Sequence, residues 1–311
     1  MISLPSPQQL RYLAALVDLR HFGRAARACA VSQSTLSAGI LALERQLDVA
    51  LIDRDVGRRV VFTPVGLQIG ALARSALSGL EAVQEAAMAS RAPMAGPLRL
   101  GVIPTIGPFL LPILLPALAE SFPKLRLSLS EDLTGRLIEK LAAGRLDLLL
   151  LAMPCICDSA ETMALARDPF MLALPPGHRL LAQQTISFAE LSDEPMLLLE
   201  DGHCLRDQML SVCRQDPGWG PRERLQSFTA TSLHTLVQMV ASGLGMTLLP
   251  KLAVDGGIVN GTAVEVRPLA GDGAWRTLGL AWRPRSARIA DYRAFAGLLS
   301  FGGGATSRPE A

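Results

Sequence analysis

HFGRAARACAVSQSTLSAGILALERQLDVALIDRDVGRRVVFTPVG occupies residues 21–66, and its reading decides the fold of the N-terminal part. Phe22, Ala25, Ala26 and Cys29 make the apolar face of one short helix. Ala30-Val31-Ser32 turns the chain, and Ser32 or Ser34 can cap the next helix by accepting a free backbone N–H. In that helix Leu36, Ile40, Leu43 and Leu47 recur at helical spacing. Val60-Val61-Phe62, preceded by Arg58-Arg59, reads as a short strand with a basic tip. Upstream, Leu10, Leu13, Ala14 and Val17 place a first helix over about 7–18.

Helix, turn, helix and strand in this order suit DNA. The second helix of such a unit enters a major groove about 12 Å wide by its N-terminal end. That requires small residues where the helices cross, here Ala25 and Ala26, and short polar groups on the leading turn. Gln33, Ser34, Thr35 and Ser37 are those groups, able to reach base edges or phosphates. Arg58 and Arg59 sit at a wing tip suited to the phosphate backbone or minor groove. Residues 1–65 hold eight arginines against five acidic residues in a chain of net charge +2, a mild lean the same way. An ordinary small helical bundle fits the same spacings, so spacing alone leaves both readings open.

Beyond Pro64, Ile69, Leu72, Ala76, Leu80, Val83 and Ala87 form an apolar seam over about three heptads, enough for a dimer-forming helix. Ala92-Pro93-Met94-Ala95-Gly96-Pro97 ends it as a hinge. The pattern then changes to apolar strands (Leu98–Ile103, Leu125–Ser130, Leu146–Ala152, Phe170–Leu174, Met196–Leu199, Met246–Leu249, Leu278–Trp282) separated by helices such as Leu133–Ala143 and Ser232–Ser242. Strands apolar throughout and alternating with helices predict parallel sheets covered on both faces, here in two α/β lobes with a cleft between them. Leu100–Ala119 is uncharged and long enough to cross a membrane, but Pro104, Pro108, Pro112 and Pro116 recur through it. A strand, a turn and a helix starting near Pro112 fit better, and no membrane partner is expected. The glycine-rich end, 302–311, reads as a disordered tail.

Residues 21–66 resemble the winged helix-turn-helix of LysR-type regulators, through Ala25-Ala26, Val31-Ser32-Gln33, Leu36-Ser37, Leu43-Glu44, Asp53-Arg54 and Thr63-Pro64-x-Gly66. That family commonly has proline where Ser34 stands. The resemblance implies an α+β multidomain chain. It would have a winged helix-turn-helix over 1–65, a long dimerising linker helix over 66–92, and a two-lobed, periplasmic-binding-protein-like effector domain over 93–301. Lobe I would cover about 93–166 and 268–301, and lobe II about 167–267. Double-stranded promoter DNA, RNA polymerase and a homodimer or homotetramer follow as partners.

Glu200-Asp201-Gly202-His203-Cys204-Leu205-Arg206-Asp207-Gln208, with Cys213 following, is the most informative segment of the second half. An apolar strand ends at Leu199 and a helix begins near Cys204. A thiol there faces positive backbone dipoles, and Arg206 adds a full charge; both favour thiolate, the form that attacks a peroxide O–O bond. On one continuous helix Cys204 and Cys213 would be roughly 13 Å apart and half a turn round, whereas a disulfide needs Cα atoms about 4.4–6.8 Å apart. Bridging them would unwind the helix and make oxidation a conformational switch. Two buried, inert cysteines are the plain alternative.

GHCLRDQ with Cys213, IPTIGPFLLP (103–112) and ATSLHTLVQMVASGLGMTLLP (230–250) resemble the peroxide-sensing members of the LysR family. By matching position, Cys204 would be the peroxidatic cysteine and Cys213 the resolving one, with Thr105, Thr134, His203, Arg206 and Asp207 forming the peroxide pocket. Hydrogen peroxide would be the signal and a glutaredoxin- or thioredoxin-like thiol reductant the partner that resets it. Cys155 and Cys157 suggest a metal or a second redox pair, but two ligands do not make a metal site and the stretch departs from the peroxide-sensing pattern; Cys29 lies on the apolar face of a helix. His178 and His234 read as structural. No metal or cofactor is expected. An odd cysteine count without an export signal argues for the cytoplasm. A LysR-type regulator answering to a small metabolite in the cleft is the alternative. A thiol peroxidase is a weaker one, since the basic N-terminal unit has no role in such an enzyme.

Overall fold

The computed structural model describes residues 4–53, 60–89, 94–155, 160–191, 196–213, 225–271 and 273–299. They form two compact units, one over residues up to 90 and one over nearly all that follow.

In the first unit α1 (Pro7–Leu19), α2 (Phe22–Ala28) and α3 (Gln33–Leu47) enclose Leu13, Leu16, Ala25, Ala26, Leu36, Ile40 and Leu43. Gly39 is where α3 crosses α1: a Cβ there would stand 2.5 Å from the Tyr12 ring. Ser32 caps α3, its hydroxyl accepting the Thr35 N–H at 3.1 Å. Glu44 accepts the N–H groups of Leu51 and Ile52 at 2.9 and 3.2 Å, which fixes the path from α3 into β1 (Ile52–Asp53). β1 pairs antiparallel with β2 (Val61–Phe62) at the base of the wing. Thr63 Oγ1 then donates to the Ala50 carbonyl at 2.8 Å and accepts from Gly66 N–H at 2.9 Å, starting α4 (Pro64–Ala89). Pro64 stands where the first turn needs no donor. A Cβ on Gly66 would come within 2.1 Å of the Leu51 carbonyl oxygen, so glycine lets α4 begin this close.

The second unit contains β3 (Gly96–Val102), α5 (Gly107–Ser121), β4 (Leu125–Glu131), α6 (Thr134–Ala142), β5 (Leu148–Met153), β6 (Glu161–Leu174), β7 (Ile186–Ser187) and β8 (Met196–Leu199). It continues with α7 (Cys204–Cys213), β9 (Leu225–Ala230), α8 (Leu233–Ala241), β10 (Thr247–Pro250), α9 (Lys251–Asp255), β11 (Glu265–Ala270), β12 (Trp275–Trp282) and α10 (Ile289–Leu298). Two apolar cores mark two lobes. One gathers Leu100, Leu110, Leu149, Leu280 and Phe295, the other Phe170, Leu198, Leu205, Val237 and Leu248.

β3 runs parallel to β4 and β5, and β8 to β9. β12, however, is antiparallel to β5 and β6, and β6 to β10 and β11, so the sheets are mixed and not parallel throughout as the sequence predicts. The long strand β6 explains the difference. Its 14 residues extend about 46 Å at about 3.3 Å each. It pairs with β12 through Glu161–Pro169 and with β10 and β11 through Phe170–Leu174. A strand that joins two lobes directly is free of the helical crossover that parallel neighbours require.

α5 also departs from expectation, beginning at Gly107 instead of near Pro112, with Pro112 and Pro116 inside it. Pro108, Pro112 and Pro116 share one exposed face, where water can reach the carbonyls that the missing donors leave free. Phe109, Leu110, Leu114 and Leu118 form the buried face. Among the described residues no helix is long and apolar enough to cross a membrane.

Candidate functional site

The apolar strand β8 is buried at all four positions, and Gly202, at φ 95°, makes the turn out of it. α7 follows, with two stripes set by helical spacing. Leu205, Met209 and Val212 pack into the second core. Cys204, Asp207, Gln208 and Ser211 face the other way and line a cavity of about 680 Å³ together with Thr134, Met153, Cys155, Trp275 and Arg276. Cys204 is a free thiol, half-buried, and packs against the first core. On its other side it closes a crevice with Ile103, Thr105, Thr134 and His203, too tight to admit a water molecule.

Of the expected pocket, Thr105, Thr134, His203 and Asp207 are brought to Cys204, and Arg206 is not. Two positions after Cys204, it points about 200° away round the helix. Its Nε pairs with Asp201 at 2.9 Å and its Nη1 donates to the Leu199 carbonyl at 2.9 Å, so its charge serves the turn before α7. The Thr134 hydroxyl and Gln208 Oε1 are buried and have no hydrogen-bond partner among the described residues. Gln208 Nε2 donates to the Met153 carbonyl at 3.3 Å, tying α7 to the end of β5. Burial holds the His203 imidazole below the usual histidine range, against the opposing pull of Glu200 and a hydrogen bond to the Thr231 backbone.

Arg276 escaped the sequence reading. Its side chain is wholly buried, with Nε 2.9 Å from Asp168 Oδ2, Nη1 donating to Thr105 Oγ1 at 2.9 Å and Nη2 to the Thr105 carbonyl at 3.0 Å. Asp168 Oδ1 accepts the Leu252 N–H at 2.8 Å, which completes the network. The available signal was Arg276, the one charge in the otherwise apolar β12, since buried charges occur where they are paired; Asp168 follows Arg167 in β6 and does not stand out.

Cys213 ends the backbone of α7, and its side chain lies outside the described residues, as do Cys157, Arg58 and Arg59. Cys155 is disulfide-bonded, whereas Cys29 and Cys204 are free. Burial pushes the Cys29 thiol up, against the lowering influence of Arg11. His234 stacks on Phe109 at 5.9 Å, and His178 accepts the Leu180 N–H, so both serve packing or a turn.

On α3, Gln33, Ser34 and Thr35 are exposed in the first turn and Ser37 is half-buried. This is the geometry a helix needs to present side chains to a groove. Two family models divide the chain at the same place. Residues 7–67 match the bacterial regulatory helix-turn-helix protein, lysR family, and residues 91–300 match the LysR substrate binding domain. The chain belongs to the LysR family. It is 40% identical over 284 residues, 90% of each chain, to the DNA-binding transcriptional dual regulator OxyR of Escherichia coli. It is 41% identical over 279 residues, again 90% of each, to the hydrogen peroxide-inducible genes activator of Dickeya chrysanthemi. A full-length cysteine variant of OxyR from Pseudomonas aeruginosa superposes with a TM-score of 0.77 at 36% identity, covering 96% of this chain and 98% of the other. A hydrogen-peroxide-bound cysteine variant of OxyR from Corynebacterium glutamicum gives 0.66 at 32% identity, covering 96% and 92%. Ser34, where the LysR family commonly has proline, lies with its hydroxyl 2.8 Å from the Ser32 cap, and the first turn of α3 stays helical.

Proposed function

We propose that this chain is a cytoplasmic, DNA-binding transcription regulator that senses hydrogen peroxide at Cys204 and closes a disulfide with Cys213. Binding at promoters then changes and oxidative-stress genes are activated. The observation that carries this reading is the free Cys204 thiol at the first position of α7, bordered by Thr105, Thr134, His203 and Asp207 and open to a cavity on one side. The Cys204 thiolate attacks one peroxide oxygen, giving a sulfenic acid and hydroxide. The Cys213 thiol then attacks that sulfur, forming the disulfide and releasing water. Thr134 and Asp207 flank the cavity side, where peroxide arrives, while Thr105 and His203 stand behind the sulfur. Arg276 positions Thr105.

Residues 1–65 hold DNA, 66–92 dimerise and 93–301 sense. Gln33, Ser34, Thr35 and Ser37 face the groove and Arg58 and Arg59 the backbone. RNA polymerase and a thiol reductant are the further partners, and homodimers or homotetramers the assembly. The likeness to peroxide-inducible regulators over nine-tenths of the chain supports this.

Peptide mapping after a stoichiometric peroxide pulse tests it. Cys204 and Cys213 should become linked within one chain, and Cys204→Ser should abolish both the link and the change in DNA binding. A Cys204 that stays unreacted would overturn the reading. A cavity of about 680 Å³ falls in the size range of small-molecule sites and favours a metabolite regulator as the second reading. Such a regulator would keep its response in Cys204→Ser.

A further inference from the structure

We propose that Cys155 is a second redox-active cysteine of this chain: once a dithiol reductant opens its disulfide, its thiol resolves oxidised Cys204 across their shared cavity with α7 intact. The inference rests on the peroxide reading above and adds a modification site to it.

Three observations place the two sulfurs on the same side of α7. Cys155 and Cys204 line one cavity, and both pack against the core of the first lobe. Gln208 lies one turn after Cys204 on the same stripe and donates to the carbonyl of Met153, two residues before Cys155. The stripe that carries Cys204 is therefore the one docked on the end of β5. Cys155 is disulfide-bonded, so its sulfur becomes a nucleophile only after reduction. Cys213 differs, because along the helix it lies about 13 Å away and half a turn round, and α7 must unwind before it can reach Cys204.

The steps balance. A dithiol reduces the Cys155 disulfide to two thiols and leaves as a cyclic disulfide. Peroxide converts the Cys204 thiolate to sulfenic acid and hydroxide. The Cys155 thiol attacks that sulfur, forming the Cys155–Cys204 bond and releasing water. Because α7 does not unwind on this route, the product spares Cys204 from sulfinic acid without the conformational change that bridging to Cys213 brings. Cys155 thus sets how much oxidation is read as signal.

The test uses the full chain carrying Cys213→Ser, reduced with dithiothreitol, freed of reductant and given one equivalent of hydrogen peroxide. Peptide mapping should join Cys155 to Cys204, and the intact mass should fall by the two hydrogens a disulfide removes. A Cys204 sulfenic acid trapped by dimedone, with Cys155 alkylatable or bonded elsewhere, would overturn the proposal. An unreacted Cys204 would overturn the peroxide reading and this inference with it. The unmodified chain is the control against a folding defect: a Cys155–Cys204 peptide should form there too, and its absence at every time point also overturns the proposal. Cys155→Ser should then raise Cys204 sulfinic acid several-fold in the Cys213→Ser background; no rise would count against the protective role.

Discussion

Arg276 is the residue on which the neighbourhood of Cys204 most depends, because its guanidinium holds Thr105 by both the hydroxyl and the carbonyl. An ion pair buried this completely gains little over apolar packing, but removing one partner strands the other charge away from water. Arg276→Met should therefore destabilise the second unit by about 3–5 kcal/mol, read as a shifted urea midpoint. Arg276→Met with Asp168→Leu should cost clearly less than the two single changes added together, because no charge is left unpaired. Strict additivity would mean that the pair is not coupled. At this scale the site was partly legible. Thr105, His203, Cys204 and Asp207 stand in the matching motifs and Thr134 outside them, whereas Arg276 and Asp168 lie 108 positions apart and meet only because β6 and β12 pair. Arg206 misled because adjacency in sequence says nothing of facing, and its position on the helix turns it toward Asp201.

The element that asks most plainly for a partner is α4. Leu72, Leu80 and Val83 are 63%, 48% and 69% exposed, and they belong to the apolar seam read from the sequence. An exposed seam of large apolar residues at heptad spacing is what a pairing helix presents to its mate. Leu72→Glu with Val83→Glu should shift the chain to monomers in sedimentation and weaken DNA binding, since two recognition helices would no longer be tethered. Unchanged sedimentation would place the subunit contact elsewhere. Element boundaries were well marked where chemistry marks them. The Ser32 cap begins α3, Pro64 and Thr63 begin α4, and the β8 run ends just before the Gly202 turn. The start of α5 was misread because proline is costly in an average helix but tolerable on an exposed stripe at four-residue spacing.

For the whole molecule, the proposed Cys204–Cys213 disulfide would affect DNA only by stabilising one arrangement of subunits over another. Moving such an equilibrium from 1:99 to 99:1 takes about 5.5 kcal/mol. A covalent bond that excludes the intact α7 is able to supply it. Reduced and oxidised chains should both bind promoter DNA, with footprints of different length or phasing. Cys213→Ser should blunt the change while leaving Cys204 reactive. Identical footprints for two redox states verified by mass would rule this route out. What the sequence determined by itself was local: the order of helices and strands, the caps and turns, and the seam of α4. Each depends on periodicity or on residues within a few positions of one another. Only the tertiary structure decided the mixed sheets, the burial of Arg276 against Asp168, the turning away of Arg206 and the approach of Cys155 to the Cys204 stripe. Those depend on which distant strands pair and on the angle at which α7 packs between two cores, and these are settled by the packing of the whole unit.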